Sequence, residues 1–576
     1  MTLSRDWKII VGIFLVSIFI LIQGLDFHGV EFRDDEVFYY KSVQEMLSSG
    51  NVLSPTFLGS NRFQKPILFY WLILGSFKIF GVSWFAARLV SVVFAALTII
   101  LTWLLARDLF NRTTATLSAG ILLTSPLFFR HAKGAVPDMP MNFFIVLALY
   151  AVFKFIQDPA RKLYPFIFFT ACGLGFMVKG FAAIVVPFLT LIVYALLIRR
   201  QEILRKINFP AGMAILGAII LPWFLYMLQV HGDLYARYML INETQNRFIS
   251  QANTNVFVKI LTAIFHNLFF YGQVLMIYFA PWSAFLIGAI PLTVVKFMES
   301  KEHKKTWGFL AVWFWVVFIF FTCLFININH YLLVLSTPLA ILTSAFLMDL
   351  GSRSITAQKI IKGFMVFLMI GAGISMIFLH VFLADGHVMW ILFYIFVFLI
   401  YCRLVREDRS PVLAPLMLAV LLAGIFAVQT KFMMQTGLST HSAWQRMADL
   451  IEDDCRDNCA VAVGSHDLHE KELQVYFDRK VEKLGTNYHA VTEILTKQFL
   501  DREDPQSYCF ITVPEYTRYM GLYDQGGFRI MAKDSIARKR FYLDKEFFPA
   551  LATLNRPKVL SYLKETVILL QRDLHE

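Results

Sequence analysis

Long unbroken apolar runs, separated by short connections rich in Lys and Arg, fill the first three quarters of the chain. They lie near residues 9–25, 85–106, 113–129, 139–157, 164–179, 181–198, 209–228, 268–295, 307–326, 330–349, 360–383, 388–404 and 411–430. Most approach the roughly 20 residues that a helix needs to cross about 30 Å of hydrocarbon. They are continuously apolar, whereas barrel strands alternate over about ten residues, so the pattern predicts helices. The expected architecture is an α-helical polytopic membrane protein of about thirteen spans.

Two regions depart from this pattern. Residues 26–84 form a polar loop after the first span, and from residue 431 the composition turns to that of a soluble protein, with helix-like and strand-like runs in turn. The second region, 431–576, predicts a soluble α/β domain of ordinary small-domain size, and 1–430 the membrane part. Hydrophobic residues make up 57% of the chain and Phe alone numbers 58. That much apolar surface cannot close into a soluble globule without large exposed patches.

The net charge of +12 follows from topology. Arg5, Lys8, Arg107, Arg112, Arg161, Lys162, Arg199, Arg200, Arg205, Lys206, Lys296, Lys301, Lys304, Lys305, Arg353, Lys359, Arg403 and Arg406 sit in alternate connections, which assigns those to the cytoplasm. The loop 26–84, the loop 229–267 and the C-terminal region then lie on the opposite side. No small-x-small cleavage site precedes the polar loop, so the first run reads as an uncleaved anchor. There is no interleaved basic and aromatic surface module for nucleic acid. Nor is there a phosphate-binding glycine loop, a dinucleotide fingerprint or an internal repeat. A site across the membrane from the cytoplasm, without nucleotide binding, needs a substrate activated elsewhere, and a lipid-linked one is the form a membrane supplies.

Candidate chemistry concentrates in residues 31–71. Asp34, Asp35 and Glu36 open a segment whose Val37, Tyr40, Val43, Met46 and Leu47 recur at helical spacing, predicting an amphipathic helix at the membrane surface. Acids at a helix start serve capping and the helix dipole. Three in succession exceed what one cap needs, and a carboxylate there is placed to act as a general base or to steer an incoming hydroxyl. Arg62 and Lys65 follow, then Phe69, Tyr70 and Trp71; together with the acids they fit a site that holds a phosphate beside a working carboxylate. Cys455 and Cys459 stand four apart in the C-terminal region, as a disulfide or as two thiols. Cys172, Cys323 and Cys402 read as small core hydrophobes, and Cys509 as a buried residue of a strand.

The run DDEVFYYKSVQEMLSSGNVLSPTFLGSNRFQKPILFYW at 34–71, with ARLVS at 87–91, HAKGAVPDMPMNFF at 131–144, MVKGFAAIVVP at 177–187, ETQNRF at 243–248, APW at 280–282 and NHYLLVLSTPLAIL at 329–342, resembles the aminoarabinose transferase (ArnT-like) group of the protein mannosyltransferase superfamily. The resemblance covers roughly the first 350 residues. It implies the GT-C fold, and transfer of a sugar, with inversion, from a polyprenyl (undecaprenyl) monophosphate carrier to lipid A or a related envelope glycolipid. It also implies the bacterial cytoplasmic membrane, with a site facing the periplasm.

By the same resemblance Asp35 is the first-loop catalytic aspartate, with Glu36 beside it, and Asp138 a second acid that orients the sugar or supports a positively charged transition state. Lys65 and Tyr331 contact the carrier phosphate, and Lys179 and Arg247 add to that site. His266 matches a histidine that binds a divalent metal, Zn or Mg. Each position also has a structural reading: Asp138 as a helix-start acid, Lys179 as an interfacial anchor, Arg247 paired with Glu243, Tyr331 and His266 as interfacial residues.

Three positions depart from the group: Gln64 where Glu is frequent, Phe38 where Arg is common, and Asn327 where Lys precedes the His-Tyr pair. An amide is a poorer divalent ligand than a carboxylate, and these losses point to a different sugar, acceptor or both. A protein O-glycosyltransferase is the second enzymatic reading. A transporter or flippase fits less well, because transporters place charges near the bilayer midplane in repeat-related halves. The expected partners are the lipid-linked donor, a glycolipid or protein acceptor, and membrane lipids.

Overall fold

The structure, a computed structural model, describes residues 2–26, 34–239, 256–324, 328–353 and 355–383, short stretches between 392 and 422, and most of 440–572. In hydrocarbon a backbone must satisfy its own polar groups, and a helix does so within one segment. Helices accordingly cover Thr2–Leu21, Trp84–Leu109, Arg112–Leu123, Asp138–Gln157, Leu163–Lys179, Ala182–Leu197, Phe209–Arg237, Val256–Tyr278, Leu286–Glu299, Lys301–Thr322, Ser336–Arg353 and Ile355–Leu383. Among the described residues, six helical segments are long and apolar enough to cross a bilayer. Ile79 and Met298 are 75% and 76% exposed. Large apolar side chains left outward in this way need lipid rather than water around them. The chain is a membrane protein on this ground.

Polar residues set several starts. Ser83 Oγ accepts from the amide of Ala86 at 3.1 Å, and Asn111 Oδ1 from that of Thr114 at 2.9 Å, each satisfying a donor that has no partner in the first turn.

Three expectations are corrected. The run 113–129 divides after Leu123, and a separate helix Pro126–Ala132 begins on a proline, which lacks an amide hydrogen and is at home in a first turn. The run 268–295 divides between Val256–Tyr278 and Leu286–Glu299, where Pro281 precedes a 3-10 turn at Trp282–Phe285. Residues Leu68–Phe80, expected inside a polar loop, form an apolar helix that buries Phe69, Tyr70, Ile73 and Phe77. The expected boundary at 430/431, most of 388–404 and 411–430, and Arg247 lie outside the described residues.

The C-terminal region carries the expected α/β sheet. Numbering strands from the N-terminus, β1 (Thr56–Phe57) and β2 (Ser60–Asn61) belong to the first loop. Strands β3 (Cys459–Val463), β4 (Val481–Lys483), β5 (Gln506–Thr512), β6 (Phe528–Ala537) and β7 (Lys564–Arg572) form one sheet in the order β4-β3-β5-β7-β6. β3 is parallel to β4 and β5, while β7 runs antiparallel between β5 and β6. Successive side chains of a strand point to opposite faces. Val461, Val463, Tyr508, Phe510, Val567 and Leu569 therefore pack with Trp444, Met447 and Ile451 of the helix Thr440–Asp454, and Ala462, Cys509, Ile511, Ile568 and Leu570 pack with Phe499 and Leu500 on the other face.

Cys455 and Cys459 are joined, linking the end of that helix to β3. Closing so short a loop restricts the unfolded chain by about 2 kcal/mol in the loop-entropy account. Replacing both cysteines with Ser is expected to lower the stability of this domain by about that amount, read from its chemical unfolding midpoint; an unchanged midpoint would contradict it. Burial pushes the Cys509 thiol well above its ordinary value.

Candidate active site

The first-loop helix Asp34–Ser49 turns a face of Glu36, Val37, Tyr39, Val43 and Met46 inward. Leu47, expected on that face, is exposed. The helix is pinned by charge as well as by apolar contact. Glu36 is buried and takes a 2.7 Å bond from Arg88 Nε, and the same guanidinium donates through Nη1 to the Leu25 carbonyl at 2.7 Å. Glu36 thus belongs to an ion pair that fixes the first-loop helix to Trp84–Leu109. Its neighbour Asp35 is exposed.

Past the helix the chain reverses through a hairpin between β1 and β2. Leu58 and Gly59 have φ of +51° and +71°, the left-handed pair that a two-residue hairpin turn requires. Glu45 secures the turn: its carboxylate accepts from Thr56 Oγ1 at 2.5 Å and from the Leu58 amide at 2.6 Å. Trp71 Nε1 donates to Val52 O at 2.7 Å, and Trp223 Nε1 to Leu53 O at 2.9 Å, tying the loop to its own apolar helix and to Phe209–Arg237.

The loop then delivers Arg62 and Lys65. Arg62 is buried in an aromatic box: Nε donates to Tyr70 Oη at 2.9 Å, and the guanidinium lies 4.3 Å from the Phe38 ring centre and 5.4 Å from that of Tyr39. A planar, weakly hydrated cation suits such a box. The structure therefore gives Arg62 a partner for Nε, where the sequence had suggested a cation standing at a phosphate. It also explains Phe38, whose ring is part of the box. Lys65 is half-buried between Gln64 and Pro66, both of which line a cleft.

Met141, Phe176, Phe181, Phe320, Phe321 and Leu324 are among the apolar walls of that cleft. Lys179 and Tyr331 line it too, and Tyr331 stacks on Phe321 at 4.8 Å. Beside Lys179 lies Asp138, with Lys179 Nζ 2.6 Å from Asp138 Oδ1. Both positions follow from helix ends. Asp138 begins Asp138–Gln157, where the dipole favours an anion, and Lys179 ends Leu163–Lys179, where it favours a cation; Gly180, at φ +104°, stops that helix. The two helices are joined by a short connection and run antiparallel, so these ends meet.

Two histidines complete the cluster. His330, in the 3-10 turn Asn329–Leu335, brings Nε2 to 3.6 Å from Asp138 Oδ1, and buried His131, in Pro126–Ala132, faces His330 with ring centres 6.0 Å apart. Among the described residues, His131, Asp138 and His330 are the group whose ligand atoms lie close enough together to hold a metal ion. His266 is exposed and is not part of it. Tyr39 was not singled out from sequence. Burial pushes its phenol well above the ordinary range; Tyr70 adds to this, Arg62 opposes it, and both Asp138 and Asp35 act on it. Tyr39 is thus a neutral hydroxyl within electrostatic reach of both acids.

Comparison with known proteins bears out the resemblance carried by the motifs. Residues 64–226 match the family model described as dolichyl-phosphate-mannose-protein mannosyltransferase. The chain is 29% identical over 369 residues to undecaprenyl phosphate-alpha-4-amino-4-deoxy-L-arabinose arabinosyl transferase 2 of Pseudomonas fluorescens, covering 63% of this chain and 60% of that one. It is 29% identical over 348 residues to the corresponding transferase of Pseudomonas aeruginosa, covering 59% of each. The chain thus spans about three fifths of the length of such relatives. The crystal structure of ArnT from Cupriavidus metallidurans bound to undecaprenyl phosphate superimposes with a TM-score of 0.68 at 17% identity, over 97% of both chains.

Proposed function

We propose that this chain, which has the GT-C membrane fold of ArnT, is an inverting glycosyltransferase. It moves a sugar from a polyprenyl monophosphate carrier to lipid A or a related envelope glycolipid, in the bacterial inner membrane with its site toward the periplasm. The observation that supports this reading is the junction of Asp138, Lys179 and Tyr331 at an apolar cleft that Gln64 and Pro66 also line. An apolar wall suits an isoprenoid chain, and a lysine beside it suits the phosphate at its head.

In the proposed reaction the bond between the anomeric carbon and the carrier phosphate breaks, the phosphate keeps the electron pair, and an acceptor oxygen attacks the opposite face. Charge grows on the leaving phosphate and on the sugar ring. Lys65, Lys179 and Tyr331 are assigned to the phosphate. Asp138 is assigned to the cationic ring, and Asp35, exposed on the first-loop helix, to the acceptor. An acceptor hydroxyl gives its proton to Asp35, whereas an acceptor phosphate, already ionised, is only oriented by it. Asn142, one turn on from Asp138, is buried with neither side-chain polar atom partnered in the described structure.

The test is mass spectrometry of lipid A from matched cells that carry the wild-type chain, Asp35→Asn, Lys65→Ala, or no gene. A sugar-sized mass increment is expected with wild type alone. Unchanged lipid A in all four, with an envelope protein losing a glycan in the null, would replace this reading with protein O-glycosylation.

A further inference from the structure

We infer that His131, Asp138 and His330 form a binding site for a divalent cation of the zinc class. Each offers one ligand atom, and these atoms lie within 4.8 Å of one another, so small side-chain movements would close them on one ion. His131 and Asp138 are buried, while His330 is partly open to the site.

The surroundings favour coordination. His131 Nδ1 lies 2.7 Å from the Leu127 carbonyl, which can only accept, so Nδ1 carries the hydrogen and Nε2 keeps its lone pair. An imidazole held through its other nitrogen by a carbonyl is the arrangement that metal-binding histidines usually show. Lys179 donates to Asp138 Oδ1, and a carboxylate has lone pairs enough on two oxygens to accept that bond and still bind a cation. Two imidazoles and one carboxylate favour zinc over magnesium or calcium, which prefer oxygen ligands. Three protein ligands leave a fourth position open, as in sites where zinc meets a substrate oxygen. The position would suit an anionic oxygen, and the +1 charge of Lys179 makes such an anion the natural companion of the ion.

This site differs from one centred on His266, and its test does not depend on the transferase reading. The full chain is purified in detergent, stripped with chelator, reloaded with zinc, and assayed for metal content and by calorimetric titration. About one zinc per chain is expected. His131→Gln and His330→Gln should each weaken zinc binding about tenfold or more while eluting as wild type on size exclusion, and His266→Gln should bind as wild type. The inference is overturned if wild type retains no zinc, if both histidine variants bind zinc as tightly as wild type, or if loss is confined to His266→Gln. If His131→Gln fails to elute as wild type, His330→Gln, at a partly exposed position, decides by the same criterion.

Discussion

Asp138→Asn is expected to lower sugar transfer by about 10²–10³-fold, the range that follows loss of one preorganised electrostatic group. Oδ1 of Asp138 lies 2.6 Å from Lys179 Nζ and 3.6 Å from His330 Nε2, so this carboxylate joins three helical elements at the cleft. The amide keeps the shape and removes the charge. It takes away the anion assigned to the sugar and the charge that Asp138 contributes to its pair with Lys179, which is 13% exposed. Breaking a buried pair by removing one partner costs about 3–5 kcal/mol, so the variant should also melt earlier. Rates with a defined polyprenyl-phosphate sugar in detergent, beside the melting curve, separate the two effects. Near wild-type turnover in Asp138→Asn would remove this residue from the reaction.

The second large effect is structural and falls on a residue that the sequence placed with the catalytic acids. Glu36→Gln and Arg88→Met should each destabilise the protein by about 3–5 kcal/mol, because each removes one charge of a buried ion pair. The side chains are 1% and 5% exposed and 2.7 Å apart. Replacing both together with apolar residues of similar volume, Glu36→Leu with Arg88→Met, should recover most of that loss. Thermal unfolding of the three variants in detergent is the measurement. Singles within about 1 kcal/mol of wild type would mean that the pair does not hold the first-loop helix.

Much of this was legible from residue order. Continuous apolar runs fixed the helical membrane class, and prolines at 126 and 281 mark where two runs divide, a signal weaker than the hydropathy around it. The apolar helix at 68–80 is only 13 residues long, too short to read as a span, and was absorbed into its polar surroundings. Asp138, Lys179 and Tyr331 came from motifs far apart in the chain, and the structure brings them together. Glu36 could not be told from Asp35 by sequence, because helical phase turns adjacent residues about 100° apart, and in the structure Glu36 is the one that meets Arg88. His131 and His330 stood inside quoted motifs without being weighed. The available signal was their chemistry, since an ionisable ring beside an apolar span is costly and suggests a function.

Among the described residues, the last strand of the C-terminal sheet lies inside it: β7 separates β5 from β6. All the earlier strands can be synthesised while β5 and β6 still lack the neighbour they share. The sheet has no complete form until residues 564–572 are in place, because β5 and β6 pair with each other only through β7. A chain cut before β7 would leave β5 and β6 each without the neighbour they share, an unpaired backbone open to pairing with another chain.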